Sequence, residues 1–258
     1  MIFNYKDIPV FYTDEGKVDV ILLLHGFLEN SSMWNDLIPK LVVKHRVICI
    51  DLLGHGQTDC LGYVHSMELM AEVVEAVLNH LKIETFTVIG HSMGGYVALA
   101  LAEKTSKKIQ SLCLMNSTAQ SDSDERKVNR DRAIVAVKQN HRAFVSMSVS
   151  NLFAPDNREL LVKEIEQSKQ EALQTSLQGI VAALEGMKIR SDKTQFLKQA
   201  TFKKLLILGK KDPVLDYQVL LDHAKETGVE IIEFSDGHMS HLENKKELAY
   251  KLLHFIEK

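Results

Sequence analysis

Six short apolar runs, recurring along the chain with amphipathic stretches between most of them, limit the fold more than any other feature of this sequence. They are VDVILLL (18–24), RVICID (46–51), TFTVIG (85–90), IQSLCLM (109–115), KLLILG (204–209) and VEIIEF (229–234). Each is too short for a helix and alternates little between apolar and polar, as strands do when both faces of a parallel sheet are covered. Parallel neighbours need a crossover, and the intervening sequence supplies helices for it. In residues 67–81 the apolar positions Leu69, Met70, Val73, Val74, Val77, Leu78 and Leu81 recur at intervals of three and four behind Ser66, a good N-cap. Similar patterns follow Ser92 and Asp216, and another closes the chain with Leu248, Leu252, Leu253 and Ile256. The expected fold class is α/β: a mainly parallel sheet flanked by helices, with right-handed crossovers and a hairpin from IFNYK and PVFYTDEG at one edge.

One interval breaks the alternation. Between residues 117 and 201 there is no strand candidate; the polar SDSDERKVNRDR leads into helical patterns at AIVAVKQ, AFVSMSVSNLF and RELLVKEIEQSKQEALQTSLQGIVAALEGM. Without a Gly/Ser linker or a repeat, this interval is expected to pack on the sheet as a helical cap. The expected organisation is a core in two parts, 1–117 and 202–258, carrying a cap at 118–201. A chain of 258 residues is long enough for one such domain with an insertion.

Charge and cysteine content narrow the function. With 34 acidic and 31 basic side chains the net charge is −3, so no basic face is expected and no nucleic-acid partner. No apolar run approaches the ~20 residues that cross a bilayer, and the opening MIFNYKDIPVFYTDEG lacks the basic and apolar regions of a signal peptide. A soluble, cytoplasmic protein without a membrane partner is expected, its oligomeric state left open. Cys49, Cys60 and Cys113 form an odd set without a C-x-x-C spacing, so neither a disulfide framework nor structural zinc is expected, and no other cofactor is implied.

The chemistry is concentrated where TFTVIG runs into GHSMG (90–94) and a helical pattern begins at once. G-x-S-x-G is common by chance; between a buried strand and a helix it is a strong signal. The sharp turn forces the serine toward strained backbone angles, and the flanking glycines remove side chains that would collide with the strand and the helix. Ser92 is then exposed above the strand ends, with the free N–H groups and positive dipole end of a helix beside it. Ser92 reads as a nucleophile and the Met93 N–H as a donor to a developing oxyanion; the alternative is that Ser92 merely caps the helix. A second feature, HGF (25–27), follows the run ending at Leu24. It can aim the Phe27 N–H into the same hole, Gly26 keeping the backbone close, with His25 a loop residue more than a base.

In this order, LLLHGF, DLLGHGQTD, GHSMGG, GKKDPV and GHMSHLE, the chain resembles the α/β-hydrolase family. The resemblance implies an α/β-hydrolase fold across the core and a catalytic order of serine, then acid, then histidine. Asp212, after KLLILG, and His238, after VEIIEF, take those places. A serine hydroxyl is a poor nucleophile near neutrality, so an imidazole must take its proton, and a carboxylate must fix that imidazole's tautomer. His241 is the alternative base; Asp122 and Asp124 are alternative acids, although their arginine-rich surroundings read as the solvated start of a helix. His238, His241 and Glu243 also form an H-x-x-H-x-E string, but no further ligand cluster supports a metal. The G-x-G at 54–56 fails as a dinucleotide loop because Asp59 replaces its third glycine; Asp51 and His55 read as loop-fixing residues and His91 as a packing residue.

The expected activity is hydrolysis of small to medium carboxylic esters, small-molecule substrates, through an acyl-enzyme on Ser92. The cap is expected to supply an apolar pocket, with Phe144, Met147, Leu152, Phe153, Ile180, Leu184 and Met187 as candidate lining or, equally, internal cap core, and with His25 and Met239 as candidate lining from outside the cap. The same triad can serve lactone, carbon–carbon or thioester cleavage or a lyase step, and the same fold can serve a ligand receptor without turnover.

Overall fold

Strands covered on both faces must send alternate side chains into opposite layers, and this requirement organises the molecule. The computed structural model describes residues 1–257. Its strands are β1 (Ile2–Tyr5), β2 (Ile8–Gly16), β3 (Val20–Leu24), β4 (Arg46–Ile50), β5 (Phe86–His91), β6 (Ile109–Met115), β7 (Lys203–Gly209) and β8 (Glu230–Phe234). They form one sheet in the order β1-β2-β4-β3-β5-β6-β7-β8. The edge pairs β1/β2 and β2/β4 are antiparallel, and every later pair is parallel, with Leu24 opposite Ile50 and Gly90 where the central strands end. The first buried strand is shorter than its apolar run. Val18 lies in the left-handed region at φ +79° with 76% of its surface exposed, so the chain turns there and pairing begins at Val20.

Helices complete the two layers. The short α1 (Ile38–Leu41) precedes β4; α2 (Met67–His80) joins β4 to β5 and α3 (Met93–Lys104) joins β5 to β6. Between β6 and β7 run α4 (Asp124–Gln139), α5 (His141–Ser150), α6 (Val162–Ala172), α7 (Leu177–Lys188) and α8 (Thr194–Gln199). Then α9 (Tyr217–Thr227) joins β7 to β8, and α10 (Ser240–Glu243) and α11 (Lys245–Glu257) follow. Ile21, Leu23, Val47, Cys49 and Ile207 pack on one side with Trp34, Leu41, Leu252 and Phe255. Leu22, Leu24, Ile48, Val88 and Leu206 pack on the other with α2, α3 and residues of the α4–α8 interval. The helix ends follow local chemistry: Ser66 Oγ accepts from the Leu69 N–H at 3.1 Å, Asp216 from the Val219 N–H at 2.9 Å, and Gly228 ends α9 at φ +64°.

Two details of the α4–α8 interval differ from the sequence pattern. The polar stretch ahead of AIVAVKQ is itself helix, because Ser123 caps α4 and Asp124 and Glu125 occupy the first turn, where acidic groups suit the dipole. The long apolar-periodic stretch after it is broken in two, because Ser176 turns the chain and caps α7 by accepting from the Gly179 N–H at 3.0 Å. The interval is tied to the rest by backbone bonds from His65 N–H to the Ala182 carbonyl, 2.9 Å, and from His238 N–H to the Leu152 carbonyl, 3.0 Å. Among the described residues no helix is long and apolar enough to cross a membrane.

Candidate active site

Ser92 sits between β5 and α3 at φ 48°, ψ −114°, a strained conformation for a residue with a Cβ. The surrounding glycines make that turn possible. A Cβ on Gly94 would strike the carbonyl oxygens of Leu24 and His25, and one on Gly90 would strike Gly94 and Gly95. The serine side chain makes no capping bond to α3. Its Oγ instead lies 2.9 Å from His238 Nε2, and His238 Nδ1 lies 2.7 Å from Asp212 Oδ2. These three side chains, from the ends of β5, β7 and β8, thus form one chain of hydrogen bonds at the carboxyl edge of the sheet, where open α/β sheets hold ligands.

Asp212 is fixed before it meets the imidazole, because its Oδ1 accepts the N–H groups of Val214 at 2.8 Å and Leu215 at 3.0 Å. Burial alone would raise its pKa. The His238 imidazole and those amides outweigh the burial and hold the carboxyl below its ordinary value. Asn116, at the end of β6 in the left-handed region (φ 46°), donates to Asp212 Oδ2 and to the Gly237 carbonyl, both at 3.2 Å. Its Oδ1 accepts from Ser240 at 2.7 Å. Ser117 Oγ donates to the Ser92 carbonyl at 2.8 Å. The sequence offered one usable signal for this bracket, an asparagine and a serine immediately past a strand.

The loop after β3 supplies the opposite wall. Neither the Phe27 N–H nor the Met93 N–H has an acceptor among the described residues. His25 is fully buried behind this loop, its Nε2 accepting from the Leu52 N–H at 2.9 Å and its Nδ1 donating to the Gly26 carbonyl at 2.8 Å. Burial lowers the His25 pKa and pushes that of neighbouring His55 down to about 3, so both serve as neutral loop fasteners. Asp51 does the same work by accepting the N–H groups of Ser31 and Gln57.

His91, expected only to pack, holds a position that links the two walls. Its Nδ1 donates to Glu29 Oε2 at 2.7 Å and its Nε2 donates to the carbonyl of His238 at 3.0 Å. The same Glu29 oxygen accepts the Gly26 N–H at 2.7 Å. Burial opposes both charges, yet the pair wins: Glu29 is held down from 4.5 to about 2 and His91 is raised above 6.5. Glu29, His91 and His241 atoms lie within 4.8 Å of one another, a spacing that invites a metal reading. Two ligands on a tetrahedral zinc sit roughly 3.3 Å apart at ordinary bond lengths, whereas Glu29 and His91 are 2.7 Å apart and share a proton. His241, with its pKa pushed down to about 4 by burial, has its Nε2 3.7 Å from Glu29 Oε1 and its Nδ1 buried without a hydrogen-bond partner, whereas the ring bonded to Ser92 is that of His238. Glu243 anchors the histidine loop, accepting the N–H groups of Gly237, Met239 and Ala154.

Ser92 and His238 open into a cavity of about 100 Å³ whose wall includes Phe27, Leu28, Tyr96, Ser148, Leu152, Met187 and Val214. Of the expected lining, Met187 and Leu152 are there. Met147 is not: α5 turns Phe144, Val145 and Val149 inward and leaves Met147 58% exposed. Phe144, Phe153, Ile180 and Leu184 are buried in the packing of the helices themselves, and Met239 borders a neighbouring pocket beside His241. Asp122 also departs from expectation. It is buried, not solvated, and held ionised by Arg130 and Arg190 against the cost of burial, whereas Asp124 is fully solvated.

Residues 19–245 match the model of the alpha/beta hydrolase fold family, and this chain belongs to that family. It is similar to a thermophilic esterase from Thermogutta terrifontis, solved with malate bound, at 28% identity and a TM-score of 0.90 over 97% of this chain and 93% of that one. A 3-oxoadipate enol-lactonase from Acinetobacter baylyi is 26% identical over 94% of this chain and 93% of its own length. The enol-lactonase of Burkholderia xenovorans superposes with a TM-score of 0.92 over the full length of both chains at 21% identity, a likeness of fold. An uncharacterised Mycobacterium tuberculosis protein is 38% identical over 102 residues, which span 40% of this chain and 30% of that relative.

Proposed function

We propose that this chain is a serine hydrolase that cleaves small carboxylic esters through an acyl-enzyme on Ser92. The supporting observation is the line of hydrogen bonds, 2.9 and 2.7 Å long, from Ser92 Oγ through His238 to Asp212. In the first half-reaction Ser92 Oγ bonds to the carbonyl carbon while its proton passes to His238 Nε2. The Phe27 and Met93 N–H groups take the oxyanion, each such donor being worth about 3–4 kcal/mol in the transition state. Collapse breaks the bond to the alkoxy oxygen, which leaves with the proton from His238. Water then attacks the acyl carbon, gives its proton to His238, and Ser92 departs reprotonated, so the products are a carboxylic acid and an alcohol. Asp212 holds the Nδ1–H throughout and stabilises the imidazolium. The α4–α8 interval acts as the cap, and the cavity of about 100 Å³ favours short acyl groups.

A second reading, lactone hydrolysis, is favoured by the similarity to the Acinetobacter enol-lactonase along 94% of this chain. It uses the same steps, the leaving alcohol staying attached to the acyl group. Reaction with a fluorophosphonate followed by peptide mapping tests the nucleophile, and parallel assays of 4-nitrophenyl acetate and γ-butyrolactone separate the readings. Label on any residue other than Ser92 would overturn the proposal; tight binding of esters without release of product would point to a receptor.

A further inference from the structure

The cavity above Ser92 carries more positive charge than the fold itself uses. Asp122, just ahead of α4 with its carboxylate fully buried, faces three guanidiniums: Arg130 Nε at 2.5 Å, Arg190 Nη1 at 2.6 Å and Arg126 Nε at 3.3 Å. One carboxylate balances one of the three. Arg190 is closed off, with only 5% of its side chain exposed. It donates to the carbonyls of Gln120 and Met187 and lies 4.1 Å from the centre of the Tyr96 ring. Arg130 holds Asp122 through two nitrogens. Arg126 makes the longest of the three contacts; its firmest bond, 3.0 Å, goes to the neutral Val214 carbonyl, and 34% of its side chain stays exposed.

Arg126 and Arg130 both line the cavity that contains Ser92 and His238. The acid on that wall, Glu29, is spent on His91, and Asp212 is spent on His238. Glu125 and Asp216 border the adjoining opening on the far side of Arg126, where both are exposed and water screens their charge. A guanidinium in a partly dry cavity is the group best matched to a carboxylate, which it can hold with two parallel N–H bonds.

We propose that the cavity selects an ester or lactone that carries a free carboxylate in addition to its reacting carbonyl, with Arg126 as the specificity-determining residue and Arg130 as its neighbour. The inference rests on the serine-hydrolase reading for its reaction and on the arginine geometry for its selectivity. The test is kcat/KM on matched pairs: 4-nitrophenyl hydrogen glutarate against 4-nitrophenyl pentanoate, and 4-acetoxybenzoate against phenyl acetate. These place the acid on the acyl and on the alcohol side respectively. At least one acid-bearing substrate is expected to exceed its neutral partner by about tenfold or more, the scale of one hydrogen bond to a charged group.

Arg126→Gln should lower that acid-bearing substrate by about 10- to 100-fold and the neutral one by less than about threefold, with Arg126→Lys recovering part of the loss. The Gln variant keeps Asp122 paired with Arg130 and Arg190, so it is expected to fold, and its circular dichroism checks this. No acid preference in either pair, or an equal loss on acid and neutral substrates, would overturn the proposal while leaving the hydrolase reading intact. Calorimetric titration with glutarate gives a measure independent of turnover. Binding that Arg126→Gln weakens about tenfold supports the subsite even if no ester is cleaved, and binding unchanged by the substitution refutes it.

Discussion

Substituting Glu29 by Gln tests the ionic link behind the site. The amide keeps nearly the same shape and can still accept from Gly26 and His91, but it removes the charge that stabilises the buried imidazolium. Holding Glu29 down from 4.5 to about 2 corresponds to roughly 3 kcal/mol, in line with the 3–5 kcal/mol lost when one member of a buried pair is removed. The folded carboxyl titrates below the unfolded one, so its contribution is fully present above about 4.5 and disappears as pH falls through about 2. His91 titrates above its ordinary 6.5 in the fold, so its contribution is present below 6.5 and is lost as pH rises through the folded value. The stability gap between wild type and Glu29→Gln should therefore be widest between about 4.5 and 6.5 and narrow on both sides. Urea unfolding near pH 6 should give a gap of about 3 kcal/mol, falling by about half or more near pH 3. A gap that stays constant across this range would refute the ionic account of the pair. Because Glu29 also holds the Gly26 N–H and, through His91, the His238 carbonyl, the variant should lose kcat more than it raises KM.

Replacing Ser92 or His238 by Ala should lower kcat by about 10⁶ and Asp212→Asn by about 10⁴, with the fold retained; a loss under tenfold in purified, folded protein would remove these residues from the chemistry. Asn116→Ala deletes the bonds to Asp212 and the Gly237 carbonyl and the one accepted from Ser240, and a fall in kcat of about tenfold, the scale of one ordinary hydrogen bond, is expected together with a lowered melting temperature, because Asn116 is fully buried and its partners are left unpaired. Asp122→Asn should cost about 3–5 kcal/mol in urea unfolding because it strands buried guanidiniums, whereas the same measurement on fully exposed Asp124→Asn should match wild type. Gly94→Ala drives a methyl into the Leu24 and His25 carbonyls, and a loss of about 1–3 kcal/mol, read by thermal melting, should accompany any change in activity.

Strands covered on both faces are legible in sequence because their hydrophobicity is continuous, and here the six runs lie within two residues of β3 to β8. Ser92 was legible for a similar reason: its glycines, strand and helix are all local. The lining of the cavity was harder to read. Met147 and Val149 are both apolar residues of one short helix, and only its packing decides that the first meets solvent and the second the core. The reading of SDSDERKVNRDR as solvated failed at Asp122 because Arg190, which closes over it, is distant in sequence. His91 beside Ser92 gave no sign of its partner, since Glu29 and the His238 carbonyl arrive from two other loops.

Periodicity and backbone geometry over a few residues make the strand and helix alternation and the strained serine turn readable from the order of amino acids, while the places of Asp212 and His238 followed from the resemblance to the family. Contacts between distant parts of the chain, visible in the folded molecule alone, make Asn116 brace Asp212, join Glu29 and His91 across the two walls, and bring three arginines onto one carboxylate near the cavity that holds Ser92. Burial and pairing are properties of what the rest of the chain brings alongside a residue. They set its charge and its partner, and no local pattern encodes them.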